Sequence, residues 1–560
     1  MKTNFKRLSL AAAVAAATAW SGMASAQIIE PEPEPGPGGL LDGSDARVSS
    51  RARGDLAIIP YYTVQEQFAT AIHIMNTTDK TQVVKLRARR GRDSMDSLDF
   101  NLVLSPKDVW VGSMSDDDGK IVITTKDTSC TAPAGTPNGN GGVDFVMPDQ
   151  DSIDTLIDFR TGAEEGYVEI IGMGETIDEA QPIAIAAKHV NGVPRDCGAV
   201  RSNFFRVEGA GDPGYVVGTN PVKGVHAPWL TAQTCATEVG CSNVPASGLD
   251  VNFYKGTQFD ALKVSWAVTD GQAGLEFGSN AVHIEGFSNS AMMTNQQVIV
   301  EGATDRLGYL WPDLDGGPPV ITIGDNPDAG KFGKYDRIIR DILGVSSVQN
   351  DWSSRDGGTF AVATDWVVTM PGQYLMVDPR LTGGYIDSLR DPNDPRYQPC
   401  DPDECDWRDI PVGLDITYYN REEGSFTPEE GGLVVSPAIN ITPDGIVLPY
   451  EVNVINWQVD ADDILRSQYA VSFRPDFEDD RGWADLGVTP TLRQTQRVWQ
   501  WNPVGDIPVG FPVQVVNEAV PLIGFAVWER QFDATPQANY GRAIDHSYGS
   551  ALMLPSEPVL

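Results

Sequence analysis

Residues 54–64 read GDLAIIPYYTV, and the segments after them read FATAIHIMNTT, QVVKLRAR, LDFNLVLSP, DVWVGSMS and KIVITT. Each segment is short, rich in β-branched and aromatic residues, and bounded by Asp, Asn, Gly or Pro. That punctuation predicts antiparallel strands joined by tight turns, so residues 51–130 are expected to form a β-sandwich.

The same pattern continues beyond residue 130. EGYVEIIGMG (165–174), PIAIAAKHV (182–190), DALKVSWAVT, TFAVATDWVVTM, GLVVSPA, YEVNVINWQV, GFPVQVV and IGFAVWERQF all read as strands. Two stretches carry helical spacing instead. In MPDQDSIDTLIDFRTG (147–162), Ile153, Leu156 and Ile157 fall at i, i+3 and i+4, with Pro148 early and Gly162 late. In KYDRIIRDILG (334–344), Ile338, Ile339, Ile342 and Leu343 make one face and Gly344 the stop. The expected fold class is therefore all-β: several antiparallel β-sandwich, Ig-like units with a few short helices and disulfide-stapled loops. Expected units are 51–130, 143–300 with one short helix, 301–415 with a second helix and a disulfide loop, and a C-terminal β-domain at 416–560. No internal repeat survives over 20–50 residues.

The N-terminus has a basic head (Lys2, Lys6, Arg7), a short Ala-rich apolar run and a small-residue site at Ala24–Ala26. This predicts a signal peptide over 1–26, cleaved between Ala26 and Gln27. Residues 27–50, QIIEPEPEPGPGGLLDGSDARVSS, are Pro, Gly and Glu with little to bury, and predict an extended, mobile leader. No later segment reaches the ~18 consecutive apolar residues of a membrane helix. The expectation is an exported protein: extracellular, at the cell surface or periplasmic.

The formal net charge is −36, and loss of the signal peptide's three basic residues makes it more negative still. Such a field repels phosphate backbones, which excludes nucleic acid as a partner class. The abundance of Asp suits a turn-rich β protein, because Asp bonds its own backbone in turns. It equally suits a salty habitat that screens self-repulsion.

Six cysteines, Cys130, Cys197, Cys235, Cys241, Cys400 and Cys405, form an even set in an exported chain and predict disulfides. Proximity pairs Cys235 with Cys241 and Cys400 with Cys405, which leaves Cys130 for Cys197. In QPCDPDECDW (398–407) the enclosed Asp401, Asp403 and Glu404 raise the question of metal. Zinc wants further Cys or His nearby, and no His lies between His283 and His546. A stapled loop is the favoured reading there, with calcium on the carboxylates as the remaining metal reading.

Catalytic patterns are sparse. Gly209, Gly211 and Gly214 spell G-x-G-x-x-G, but Pro213 and a strand-like GYVVG deny the helix a dinucleotide site needs. Arg53-Gly54-Asp55 reads as a turn entering a strand. Of the histidines His73, His189, His226, His283 and His546, His73 and His283 stand among Ile, Val and Ala, which predicts packing. Asp545, His546 and Ser547 are sequence neighbours, so an extended chain points them to opposite faces. A triad assembled from distant segments stays open, as do paired carboxylates for glycoside hydrolysis. The acidic runs SDDDG (115–119), WPDLDGG, GDNPDAG, QVDADD and FEDDRGW match no EF-hand and read as solvated turns, among which a calcium site is admitted.

One basic stripe, VVKLRARRGR (83–92), puts Lys85, Arg87 and Arg89 on one strand face. Pairing with acids of the following DSMDSLD (93–99) is favoured over docking of an anionic polymer. Trp499 and Trp501 share a strand face; an exposed pair of this kind stacks on sugar rings, whereas a buried pair fills a core.

The phrases EGYVEIIGMG, TDWVVTMPG and IGFAVWERQF…NYGRAIDHSYGS resemble a group of secreted bacterial proteins, a likeness that carries no activity or site with it. The functional expectation is a secreted or cell-surface β-sandwich protein acting by binding or assembly, in adhesion, matrix or a surface layer. Calcium is the one cofactor the composition admits, and self-association the partner state. The alternative is an extracellular hydrolase of polysaccharides or esters.

Overall fold

Phe68–Asn76, Val109–Asp117 and Leu262–Asp270 bury alternate side chains along most of their length. That period of two makes a sheet with one face in a core and one facing out. By contrast, Leu56–Thr63, Gln82–Arg90 and Glu165–Thr176 are buried along essentially their whole length. Strands of that kind belong to a sheet covered on both sides. The computed structural model describes residues 46–147, 162–201, 254–287, 339–371, 412–426, 446–457, 464–473, 480–490, 497–500, 509–512 and 520–550, apart from 93, 95, 340–341, 356–359, 421–424, 449 and 533–537.

Sheet I runs in the order Arg47–Val48, Val282–Glu285, Leu56–Thr63, Glu165–Thr176, Gln82–Arg90, Asp96–Leu104 and Cys130–Ala132. Sheet II runs Leu275–Asn280, Leu262–Asp270, Phe68–Asn76, Val109–Asp117, Lys120–Thr125, Val143–Val146 and Thr136–Pro137. Sheet III runs Ser425–Phe426, Val412–Asn420, Arg481–Pro490, Gly344–Ser353 and Val520–Pro521, with Ser547–Ser550 also on Gly344–Ser353. Sheet IV runs Ala470–Ser472, Val452–Asn456, Ala361–Thr369, Ile523–Gln531 and Tyr540–Asp545. Pairing is antiparallel except where Ala470–Ser472 joins Val452–Asn456. The all-β class is as expected.

Alternation in sheet IV serves two cores at once. Trp366, Val368, Ile455 and Ala526 point into a core shared with Trp352, Leu414 and Leu486 of sheet III. Their neighbours Val367, Val454, Phe525 and Val527 join the core of sheets I and II instead. At that junction the Phe525 ring lies 4.9 Å from Trp266, 6.0 Å from Phe277 and 6.4 Å from Tyr61. Hydrogen bonds close the seam: Thr369 Oγ1 donates to the Pro60 carbonyl at 2.6 Å and Tyr469 to that of Gly162 at 3.0 Å. Arg466 spans it with Asp270 at 2.9 Å and Glu66 at 2.8 Å. Residues Leu41–Leu560 accordingly cluster as one compact unit.

Several expectations need correction. Sheets I and II each draw strands from both sides of the expected 130–143 border, because Leu56–Thr63 pairs with Glu165–Thr176 and Phe68–Asn76 with Leu262–Asp270. Sheets III and IV likewise span the expected border at residue 415. The leader reading fails at its end: Arg47–Val48 pairs with Glu285 and Ile284, and Glu285 draws Arg47 to 2.8 Å and Ser49 to 2.7 Å. A buried carboxylate captures the chain before the first long strand.

PIAIAAKHV is not one strand. Pro182–Ala187 is a helix, with Pro at its first turn, and only His189–Val190 is extended. Three of its six residues are Ala, the best helix former, and buried Ile183, Ala184, Ala186 and Ala187 fall at helical spacing. This helix and Cys197–Arg201 cover Val83, Val103 and Met173 on the outer side of sheet I. The Cys130–Cys197 disulfide fastens them there, the pairing that the two expected local pairs left over. The other four cysteines lie outside the described residues, as do almost all of the 147–162 helix and all three glycines of the G-x-G-x-x-G motif. Of the 334–344 helix, Ile339, Ile342 and Leu343 are helical, with Ile339 and Leu343 buried.

Candidate functional site

The basic stripe is an internal ion array. Lys85 Nζ lies 3.4 Å from Asp99 Oδ2, and Arg87 stands 3.8 Å from the same oxygen and 4.0 Å from Glu169. Arg89 Nε is 2.9 Å from Glu169 Oε2. All five side chains are at most 2% exposed. Asp99 is the expected acid of the next strand, whereas Glu169 arrives from Glu165–Thr176, inserted beside Gln82–Arg90. Charges this deep are held by pairing, so the stripe is not a docking face for an anionic polymer.

Other buried carboxylates are equally committed. Glu165 accepts from Tyr61 at 2.7 Å, from the Gln468 amide at 2.8 Å and from Gln65. Burial, reinforced by the Glu165 charge, raises the Tyr61 hydroxyl far above its ordinary range. Glu175 takes Gln82 at 2.7 Å and Lys255 at 2.8 Å. Asp55 is buried and accepts the Phe287 amide at 3.0 Å, while Arg53 pairs with Asp260 at 3.3 Å, so Arg53-Gly54-Asp55 is part of the framework. In the 115–119 acidic run, Asp116 Oδ1 accepts the Gly119 amide at 2.6 Å across a hairpin turn. Among the described residues, no group of three or more His, Cys, Asp or Glu is arranged to hold a metal ion.

The histidines divide by environment. His283 accepts the Val264 amide on Nε2 at 2.9 Å and meets the Ala281 carbonyl through Nδ1 at 2.7 Å. His546 meets the Val367 carbonyl through Nε2 at 3.0 Å and the Asn350 amide through Nδ1 at 2.9 Å. Each ring thus has one donor and one acceptor nitrogen in use, which fixes a neutral tautomer. Burial pulls His283 down to about 4 and His546 to about 3. Asp545 and Ser547 flank His546 on the exposed side, as strand geometry requires. His73 departs from the packing expectation: it faces out from sheet II, opposite exposed Val111.

His189 comes closest to a triad. Its Nδ1 lies 3.2 Å from Ser105 Oγ and 3.4 Å from Asp108 Oδ2, and its Nε2 lies 3.2 Å from Thr128 Oγ1. Burial raises the Asp108 carboxyl against the downward pull of His189. The Thr128 hydroxyl, however, donates its one proton to the Gly192 carbonyl at 3.0 Å. It therefore accepts from His189 and is not activated by it. The cluster pins the His189–Val190/Val193–Pro194 hairpin to the base of sheet II.

The outward face of sheet III is different. Alternation along Val412–Asn420 turns Asp415, Thr417 and Tyr419 outward, and along Arg481–Pro490 turns Arg481, Trp483, Asp485 and Gly487 the same way. The register places Asp351, Trp483 and Tyr419 in one row across three strands, Gln349, Asp485 and Thr417 in the next, and Ser347, Gly487 and Asp415 in a third. Trp483 is 39% exposed. Its ring stacks on Tyr419 with centroids 4.0 Å apart and planes within 8°. In the adjoining row Gln349 Nε2 donates to Asp485 Oδ2 at 2.8 Å. The second oxygen, Oδ1, is shut off from solvent and has no hydrogen-bond partner.

Reading the sequence missed this pair and singled out Trp499 and Trp501. The backbone of Trp499 lies in Arg497–Gln500, paired with Val509–Pro512, and Trp501 lies outside the described residues. The signal for Tyr419 and Trp483 was the alternation in GLDITYYN and RGWADLG, where each aromatic shares parity with an Asp. Comparison with protein-family models, curated proteins and solved structures returns no match.

Proposed function

We propose that this chain is an exported β-sandwich protein of the cell surface or extracellular matrix that works by binding or assembly. One observation carries the reading: the outward face of sheet III presents exposed Trp483, stacked on half-buried Tyr419, beside a pre-bonded polar row. Exposed Trp on a rigid sheet costs apolar exposure without helping the core, and rigid aromatic anchors are what binding surfaces are built around. The buried ionisable groups point the same way. Asp99, Glu165, Glu169, Glu175, His283 and His546 are engaged in structural bonds, and a hydrolase needs a base or acid released from such duty.

The test is made in the organism that encodes the chain. A tagged full-length protein is expected outside the cytoplasmic membrane, attached to cells or matrix and removed by added protease. A protein retained in the cytoplasm, or free in the medium with no attachment, overturns the reading.

A further inference from the structure

We infer that the outward face of sheet III is a carbohydrate-binding site for a neutral glycan chain, seated against Trp483 and Tyr419 and hydrogen-bonded by Gln349, which Asp485 positions, and by Thr417. The inference rests on the binding role proposed above and names the ligand class of that face.

A sugar ring offers two chemistries at once, a patch of C–H groups and a rim of hydroxyls. The face matches both in adjoining rows. Trp483 and Tyr419 hold each other in a fixed stack, so their apolar surface is ordered before a ligand arrives. One row along, the bond from Gln349 Nε2 to Asp485 Oδ2 holds the Gln349 amide in place beside Thr417, so the polar row is ordered as well. Strand geometry sets the rows about 6.7 Å apart, the scale of one hexose unit. The third row, with Gly487 at its centre, lacks bulk and leaves the glycan a path across the sheet.

Charge and hydrogen-bond polarity select the ligand further. Asp351, Asp415 and Asp485 face out with Arg481 as the counterweight, and the whole chain is strongly acidic. Uronate, sulfate and phosphate polymers are repelled by such a face. A cationic peptide would suit the carboxylates, but an ammonium group only donates. Gln349 and Thr417 each bring both a donor and an acceptor, and a hydroxyl, which does both, satisfies the row.

The experiment titrates the purified full chain with a panel of neutral oligosaccharides: β-glucan, xylan, mannan, α-glucan and chitin fragments. Intrinsic tryptophan fluorescence and calorimetry are the readouts, with polygalacturonate and oligolysine as charged controls. Saturable binding of at least one neutral glycan is expected, weakened tenfold or more in Trp483→Ala and in Gln349→Ala. Circular dichroism confirms that both variants are folded, and Trp483→Phe, which keeps an aromatic on Tyr419, is expected to retain most affinity. Failure to bind any neutral glycan overturns the inference, as does equal affinity in Trp483→Ala. Binding of oligolysine alone replaces the glycan with a cationic partner. In each of these cases, surface attachment of the wild-type chain still decides the proposed function separately.

Discussion

Acidification is expected to unfold this protein through two histidines whose rings are locked in the neutral form. His283 accepts a backbone amide on Nε2, and His546 accepts the Asn350 amide on Nδ1. Protonating either acceptor would set two donors against each other inside the core. Burial accordingly lowers His283 to about 4 and His546 to about 3, against about 6.5 in an unfolded chain. Because the unfolded state takes up these protons first, stability is full above pH ~6.5 and falls as the pH drops. The loss from His283 is complete near pH 4, and that from His546 continues toward pH 3. Each tenfold difference in proton affinity between the folded and unfolded chain is worth about 1.4 kcal/mol, so the two histidines amount to about 3 and about 5 kcal/mol. Urea unfolding of wild type and His283→Gln between pH 7.5 and 4.5 measures the effect directly. The variant starts less stable, but its stability should fall less steeply between pH 6 and 5, by about 1 kcal/mol per pH unit. Parallel pH profiles for the two proteins would refute the reasoning, because the proton in question would not be going to His283.

Three further perturbations follow from the packing. Glu169→Leu removes the carboxylate bonded to Arg89 and one of the two beside Arg87, and should cost about 3–5 kcal/mol in chemical denaturation, with the double change Arg89→Met/Glu169→Leu costing less than the two single changes summed. Phe525→Ala empties the junction between Tyr61, Trp266 and Phe277 and should cost about 3–5 kcal/mol; a change confined to one of two separable unfolding transitions would mean that the sandwiches do not share a core. Reduction of Cys130–Cys197 removes a cross-link that restricts the unfolded chain and should lower stability by about 2–4 kcal/mol, read as a shift in urea midpoint; an unchanged midpoint would place the helical cap outside the cooperative unit.

What the sequence discloses and what it hides divides along physical lines. Alternation is local, so strands such as Phe68–Asn76 and Leu262–Asp270 can be read from their own residues. Coverage of a sheet is not local. The parity of Lys85, Arg87 and Arg89 was plain, but charge argues for water, and the second carboxylate that pairs with the stripe, Glu169, lies 80 residues beyond Arg89. The same limit hid the domain plan. Leu56–Thr63 finds its neighbours in Glu165–Thr176 and Val282–Glu285, and no local signal announces so distant a pairing. In Pro182–Ala187 the apolar residues read as strand, yet Ala propensity and a first-turn Pro outweighed the pattern.

Sheet III inverts the case of the basic stripe. Tyr419 and Trp483 belong to types that fill cores, and their exposure follows from sharing strand parity with Asp415 and Asp485 rather than with Leu414, Ile416, Ala484 and Leu486. The core of sheets III and IV already holds Trp457 packed against both Trp352 and Trp366, and on the sheet III side Leu414, Ile416, Ala484 and Leu486 fill the space beside Trp352. A further Trp turned to the opposite face adds nothing to that packing. Its stack on Tyr419 therefore has no structural duty that Thr or Val could not perform more cheaply on a solvent-facing strand. That excess of aromatic surface over structural need separates this face from the outer face of sheet II, whose large exposed apolar residues, such as Met75, Val109 and Val111, are not aromatic.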